Sequence, residues 1–267
     1  MPEGHTIHRA ARLQHRRFAG DALAVDSPQG RFAAGASVLD GRTLERVDAC
    51  GKHLFYRWEG DSTLHIHLGL FGRFRIWTKD PPAPTDGTRL RWRSPSGTLH
   101  LSGPTVCELI EPDDETEIRR RLGPDPLAPT ADAPERFHQG LARRRSAVAQ
   151  TLLDQRLVAG IGNVYRAEML YVAGIHPQRA ANRISDDEAR RLWDLSVKLL
   201  TLGERLGRIV TVEPDEAGWS GARDVPRGER LYVYKRAGQP CRRCGTPIER
   251  TDLAGRSVWW CAGCQPD

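Results

Sequence analysis

The chain has 267 residues, 39% of them hydrophobic, with forty basic residues against thirty-four acidic ones and a net charge of +6. That length suits two modest domains or one large one, and the basic surplus favours a polyanionic partner without separating one from an ordinary basic protein. No run approaches the roughly 18 apolar residues of a membrane span, and MPEGHTIHRAARL lacks the apolar middle of a signal peptide, so a soluble, cytoplasmic protein is expected.

Taken in chain order, residues 7–18 read as a short helix, with Ile7, Ala11 and Phe18 on one face and Gly20 placed to end it. The period then changes to two. Leu54, Tyr56 and Trp58 alternate with polar or exposed positions, and Leu64, Ile66 and Leu68 alternate with His65 and His67. Further alternating runs cover 89–93, 98–101 and 106–111, a spacing that predicts an antiparallel β-sandwich with a leading helix. Cys50 and Cys107 fall in apolar stretches and read as buried thiols. The run Gly123–Pro134, GPDPLAPTADAP, breaks the pattern and predicts a linker. Lys79–Gly87 reads as a surface loop.

Beyond the linker the pattern is helical. Val148, Leu152 and Leu153 form one apolar stripe, and a second helix opens near Asn163 and ends at Gly174. A third opens with the capping box Ser185/Glu188, carries Ala189, Leu192, Trp193, Ser196, Leu199, Leu200 and Leu206 on one face, and closes at Gly207. The expected class is α+β and multi-domain. A β-sandwich domain spans 1–122, a linker 123–134, a helical domain 135–230 and a cysteine ribbon 231–267.

The strongest local motif is Cys241-x2-Cys244-x16-Cys261-x2-Cys264. Two such knuckles bring four thiolates to the corners of a tetrahedron, which is the arrangement a structural zinc ion prefers, and four cysteines leave no open position for water. Between the knuckles, Gly255–Arg256 suggests an arginine at a hairpin tip, either solvated or contacting a phosphate. Gly160–Ile161–Gly162–Asn163 entering a helix fits an anion site or a plain helix cap. Pro2 permits removal of the initiator methionine. That would expose a secondary amine able to attack C1′ of a deoxyribose, with Glu3 beside it as acid or base.

MPEGHTIHR, GKHLFYRW, HLGLFGRF, LGPDPL, AGIGNVYRAEMLYVAGIHP, YVYKRAGQPC and GRSVWWCAGCQ occur in one order across nearly the whole chain. Together they resemble the formamidopyrimidine-DNA glycosylase and endonuclease VIII family of bacterial base-excision enzymes, and most nearly its actinobacterial endonuclease VIII branch. The resemblance implies a β-sandwich, a helix-two-turn-helix module and a zinc ribbon, with double-stranded damaged DNA in the cleft between them and a monomeric protein. It implies Pro2 as the imine-forming nucleophile and Glu3 as the acid that protonates the sugar ring oxygen. Lys52 corresponds to a phosphate-binding lysine that assists elimination. Asn163 and Arg256 correspond to the other phosphate clamps, Arg256 also to the second elimination, and Arg121 to a further DNA contact. Leu70 and Phe71 correspond to the wedge that fills the gap left by a flipped nucleotide.

Two positions depart from the family pattern. Thr6 stands where a glutamate is usual, and Gly69 where the endonuclease VIII wedge often begins with glutamine. The implied activity is a bifunctional DNA glycosylase and abasic-site lyase acting on oxidised pyrimidines by β,δ-elimination. The alternatives are a non-catalytic lesion-binding protein and the same chemistry on oxidised purines, although 207–230 does not resemble a purine-recognition loop.

Overall fold

The computed structural model describes residues 2–267 and divides into two compact units, Met1–Arg121 and Leu122–Asp267. The first opens with helix α1 (Gly4–Phe18), three residues earlier than its apolar period suggests. Glu3 accepts the first turn on its carbonyl, from Thr6 N at 2.9 Å and Ile7 N at 3.3 Å, and this carries the helix back to Gly4.

Two four-stranded antiparallel sheets follow. One has the order β1 (Ala24–Asp26), β6 (Thr88–Ser94), β7 (Gly97–Ser102), β5 (Arg73–Trp77). The other has the order β2 (Leu44–Cys50), β3 (His53–Trp58), β4 (Ser62–His67), β8 (Val106–Ile110). A short helix, α2 (Ala33–Leu39), lies after β1. Leu54, Tyr56, Trp58, Leu64 and Ile66 from one sheet join Leu90, Trp92, Leu99 and Leu101 from the other in a single core. Ile7, Ala11 and Phe18 of α1 complete it, as expected for one amphipathic face.

The alternation fails at Phe55 and His65, which are buried although they point away from that core. Their rings stack at 5.3 Å, and helix α3 (Pro112–Arg121) places the Arg119 guanidinium 4.3 Å from the Phe55 ring. Arg57 and Arg119 tie the same sheet face to Asp48 and Glu115. A helix missing from the sequence reading thus covers a face that alternation alone would leave in solvent. Cys50 and Cys107 are half-buried rather than buried, since β2 and β8 are the edges of their sheet.

The second unit comprises α4 (Ala133–Ala142), α5 (Val148–Thr151), α6 (Asn163–Ala173), α7 (Asp186–Leu206) and the hairpin β9 (Ile248–Leu253) with β10 (Arg256–Cys261). Gly174 and Gly207 close α6 and α7 in the left-handed region, and Ser185 and Glu188 form the capping box. The proline-rich run 123–134 is packed rather than free. Residues 123–126 are buried, Gly123 N donates to Gln155 O at 2.8 Å, and Ala159 N donates to Pro124 O at 3.0 Å. A Cβ on Gly123 would stand 2.4 Å from the Leu157 backbone, so only glycine fits there. Its last two residues begin α4, because proline is tolerated in a first turn.

One core runs through this unit. It joins Phe137, Leu152, Tyr165, Leu170 and Leu192 of the helical part to Cys241, Ile248, Val258, Trp259 and Cys261 of the ribbon. The ribbon, expected at 231–267 as a domain in its own right, therefore shares its apolar interior with the helices. A segment this short buries too little by itself.

Candidate DNA-binding and catalytic site

In the first unit the N-terminal residues lie where α1 meets the sheets. Glu3 is 0% exposed at the N-cap of α1, and Pro2 is half-buried at the rim of a cavity of about 430 Å³. Thr6, Arg9, Leu68, Gly72 and Phe74 line the same cavity. His5, the next buried titratable group, has its imidazole pushed down to about 4, chiefly by burial. Its Nε2 lies 3.1 Å from Thr6 Oγ1, so the residue standing at the family's glutamate position contacts a neutral ring.

Leu68 and Gly72 bracket a loop whose tip is apolar and exposed. Leu70 is 55% exposed and Phe71 83% exposed, the largest value among the exposed large hydrophobic residues described. Gly69 holds a φ of +63°, and a Cβ there would meet Thr105 Oγ1 at 1.9 Å. The glutamine common at this position would need a different turn. At Gly72 a Cβ would stand 2.3 Å from the Leu68 carbonyl oxygen, which closes the loop tightly.

Lys52 occupies the turn between β2 and β3, after Gly51 at φ +56°. The pairing of His53 with His67 brings this turn to the end of the sheet where the Leu70–Phe71 loop leaves β4. His53 Nδ1 lies 2.9 Å from His65 Nε2, and the His53 and His67 rings are 4.9 Å apart. Burial, then the neighbouring His67, His65 and Lys52 charges, push His53 down to about 3. Arg121 is exposed at the end of α3 and donates to Glu117 at 2.6 Å, so its guanidinium already has a carboxylate partner.

In the second unit Asn163 begins α6 with its side chain 8% exposed, and its Nδ2 donates to the Ser257 carbonyl at 3.1 Å. Its Oδ1 is buried without a hydrogen-bond partner among the described residues. Arg256 is exposed at the start of β10, after Ala254 at φ +49° and Gly255 at φ +74°. Arg256 and Arg166 line a cavity of about 460 Å³ with Arg144, Arg156, Gln150 and Asp154.

Two residues of this unit were not singled out in the sequence. Arg166, 0% exposed, donates to Ala149 O at 3.0 Å and Ser257 O at 2.9 Å. Glu168, also wholly buried, accepts the N–H groups of Tyr232, Val233 and Tyr234 at 2.7, 2.9 and 2.7 Å, and the Thr211 hydroxyl. The spacing of Asn163 and Arg166, three residues on one helix, was the available signal.

The four cysteine sulfurs lie within 4.8 Å of one another, with Cys241–Cys264 at 3.8 Å, Cys244–Cys261 at 3.4 Å and Cys244–Cys264 at 3.5 Å. Zinc–sulfur bonds of about 2.3 Å in a tetrahedron need sulfur–sulfur edges of about 3.8 Å, so the set fits one structural zinc ion.

The comparisons agree with this geometry. Residues 1–104 match the formamidopyrimidine-DNA glycosylase N-terminal domain, 122–213 the formamidopyrimidine-DNA glycosylase H2TH domain, and 238–266 the zinc finger found in FPG and IleRS. Endonuclease 8 1 of Mycobacterium tuberculosis is 44% identical over 99% of this chain and 100% of its own length. Probable endonuclease 8 2 of Streptomyces coelicolor is 34% identical over 99% and 94%. MutM (Fpg) from Thermus thermophilus superposes with a TM-score of 0.80 at 32% identity, covering 100% of this chain and 99% of that one. The Lactococcus lactis Fpg bound to abasic-site DNA gives 0.82 at 25% identity, covering 99% and 100%. The chain belongs to the formamidopyrimidine-DNA glycosylase and endonuclease VIII family. It is a DNA-binding DNA glycosylase with one structural zinc ion. No helix among the described residues is long and apolar enough to cross a membrane.

Proposed function

We propose that this glycosylase is bifunctional, removing oxidised pyrimidines and then cutting the strand by β,δ-elimination. The observation that carries the reading is the shared cavity of Pro2, Leu68 and Gly72, with Glu3 buried next to Pro2. A nucleophile and the base of an exposed apolar loop open onto one space. The loop can hold a nucleotide out of the stack while the nucleophile reaches its sugar.

With Met1 removed, the Pro2 nitrogen attacks C1′ and forms the C1′–N bond as the base leaves with the electron pair of the glycosidic bond. Glu3 supplies the proton that opens the sugar ring. The resulting iminium acidifies the neighbouring C2′ proton, whose loss expels the 3′ phosphate, and a second elimination releases the 5′ phosphate. Lys52, Asn163 and Arg256 hold phosphates throughout, and Arg256 takes part in the second elimination. Arg121 adds a contact once it exchanges Glu117 for a phosphate. The β-sandwich at 1–122, the helical module at 135–230 and the ribbon at 231–267 act together on one duplex, each protein molecule acting alone.

Borohydride trapping tests the reading. An N-terminal proline enzyme forms a covalent adduct with abasic DNA, and acetylating the N-terminus abolishes it. Glu3→Gln binds lesion DNA as wild type does but excises roughly 10²–10⁴-fold more slowly. A wild-type chain with a free N-terminal proline that never traps is incompatible with the lyase. Excision of oxidised purines ahead of oxidised pyrimidines from otherwise identical duplexes would reassign the substrate.

A further inference from the structure

The sheet β1–β6–β7–β5 turns Val25, Leu90, Trp92, Leu99 and Leu101 to the core, and the register fixes what its other face carries. Arg75 pairs with His100, which pairs with Arg91, which pairs with Asp26. Arg73 pairs with Ser102, Trp77 with Thr98, and Thr98 with Arg93. Partners across a ladder share a face. Arg73 and Arg75 of β5 and Arg91 and Arg93 of β6 therefore share the outer side across β7, with Asp26 the one acid among the ladder positions.

Asp26 is occupied by Arg91, whose Nε donates to it at 2.9 Å, and Arg93 approaches it only to 3.9 Å. Arg73, Arg75 and Arg93 are exposed, and Arg73 and Arg75 have no acidic partner among the described residues. An ordinary solvated sheet face mixes both signs, whereas here β5 and β6, on either side of β7, each place two arginines on the same face. Arginine, unlike lysine, presents a planar fork that matches phosphate oxygens. The patch is also continuous with the Leu70–Phe71 loop, since Arg73 follows Gly72 directly.

We propose that the outer face of this sheet is a second DNA-binding surface, which takes the phosphates of duplex flanking the lesion. It rests on the catalytic reading only in using Phe71 as the point where the damaged duplex is held. Arg73 lies nearest that point, and Arg75 and Arg93 lie farther along the face. They grip backbone without reading sequence, so their contribution is electrostatic and salt-sensitive.

The test compares two abasic duplexes, one ending about half a turn from the lesion and one extended by a full turn on each side. For wild type the extension should tighten binding by about tenfold and steepen the log–log salt dependence by about two units, as two further phosphate contacts require. The double variant Arg75→Glu/Arg93→Glu should lose that gain while binding the short duplex as wild type does. Arg75→Gln and Arg93→Gln singly should each lose about one unit of slope. A wild type that gains nothing from the extension overturns the proposal, as does a variant weakened equally on both duplexes. If the extension is silent but polyglutamate binds wild type and not the double variant, the face belongs to an acidic polypeptide and the proposal also fails. Borohydride trapping on the short duplex checks the catalytic reading separately, because neither arginine bears on it.

Discussion

The guanidinium of Arg166 donates to the carbonyl oxygen of Ser257 at 2.9 Å, the same oxygen that Asn163 Nδ2 approaches at 3.1 Å. One face of α6 thereby holds the start of strand β10, where Arg256 stands. Arg166→Met should cost about 2–4 kcal/mol, because the charge-assisted hydrogen bonds to Ala149 O and Ser257 O disappear and Ser257 O is left with the Asn163 amide. DNA affinity should fall along with stability, through a loosened Arg256. Urea unfolding and anisotropy titrations of the same preparation check both, and a variant with wild-type unfolding and affinity would show that the hairpin is held by other contacts.

Zinc removal should reach beyond the ribbon. Cys241, Ile248, Val258 and Cys261 belong to the same core as the α4, α6 and α7 side chains. Structural zinc contributes on the order of 10–16 kcal/mol in small fingers. Cys261→Ser should therefore lower the melting temperature of the whole second unit, leaving the first, with its separate core, little changed. Limited proteolysis read by mass spectrometry distinguishes this from loss of the ribbon alone.

Stability should fall on mild acidification. His53 titrates near 6.5 when unfolded but is pushed down to about 3 in the fold by burial, then by His67, His65 and Lys52, with Arg119 adding to the effect. His65 and His67 are lowered as well, His65 despite Glu108 and Glu115 nearby. Between those values the unfolded chain binds protons that the folded chain does not, so stability is fully present above pH 6.5 and lost as pH falls through it. His53 alone should account for about 2 kcal/mol between pH 7 and pH 5. Urea melts across that range check the slope, and His53→Phe should flatten it.

Phe71→Ala separates function from stability. At 83% exposure the ring contributes little to the fold, so unfolding should stay within about 0.5 kcal/mol of wild type. Excision from duplex should drop roughly tenfold or more, since the cost of an unstacked gap is no longer offset. Excision from single strands, which have no gap to fill, should be nearly unchanged. Equal losses on both substrates would remove the wedge role.

The cysteine spacing, the apolar periods of α1, α6 and α7, the glycine stops and the alternation of β3 and β4 were legible in the chain itself. Each depends on neighbours within a few residues, where backbone geometry alone fixes which positions share a face. The order of the motifs was enough to indicate the family. Other features were decided only by contacts between distant segments. Phe55 and His65 are buried because α3 lies over them, the glycine- and proline-rich run at 123–134 is packed because Gly123 meets Leu157, and the ribbon shares its interior with the helices. The arginine face became visible only once the register set β5 and β6 on either side of β7, since Arg75 and Arg91 both pair with His100 though sixteen residues separate them in sequence. Arg166 and Glu168 acquire their roles only once the groups they satisfy are in place, among them the Ser257 carbonyl and the N–H groups of Tyr232 to Tyr234, all distant in sequence. A buried charge is stable only with such partners, and the sequence around it does not record where they come from.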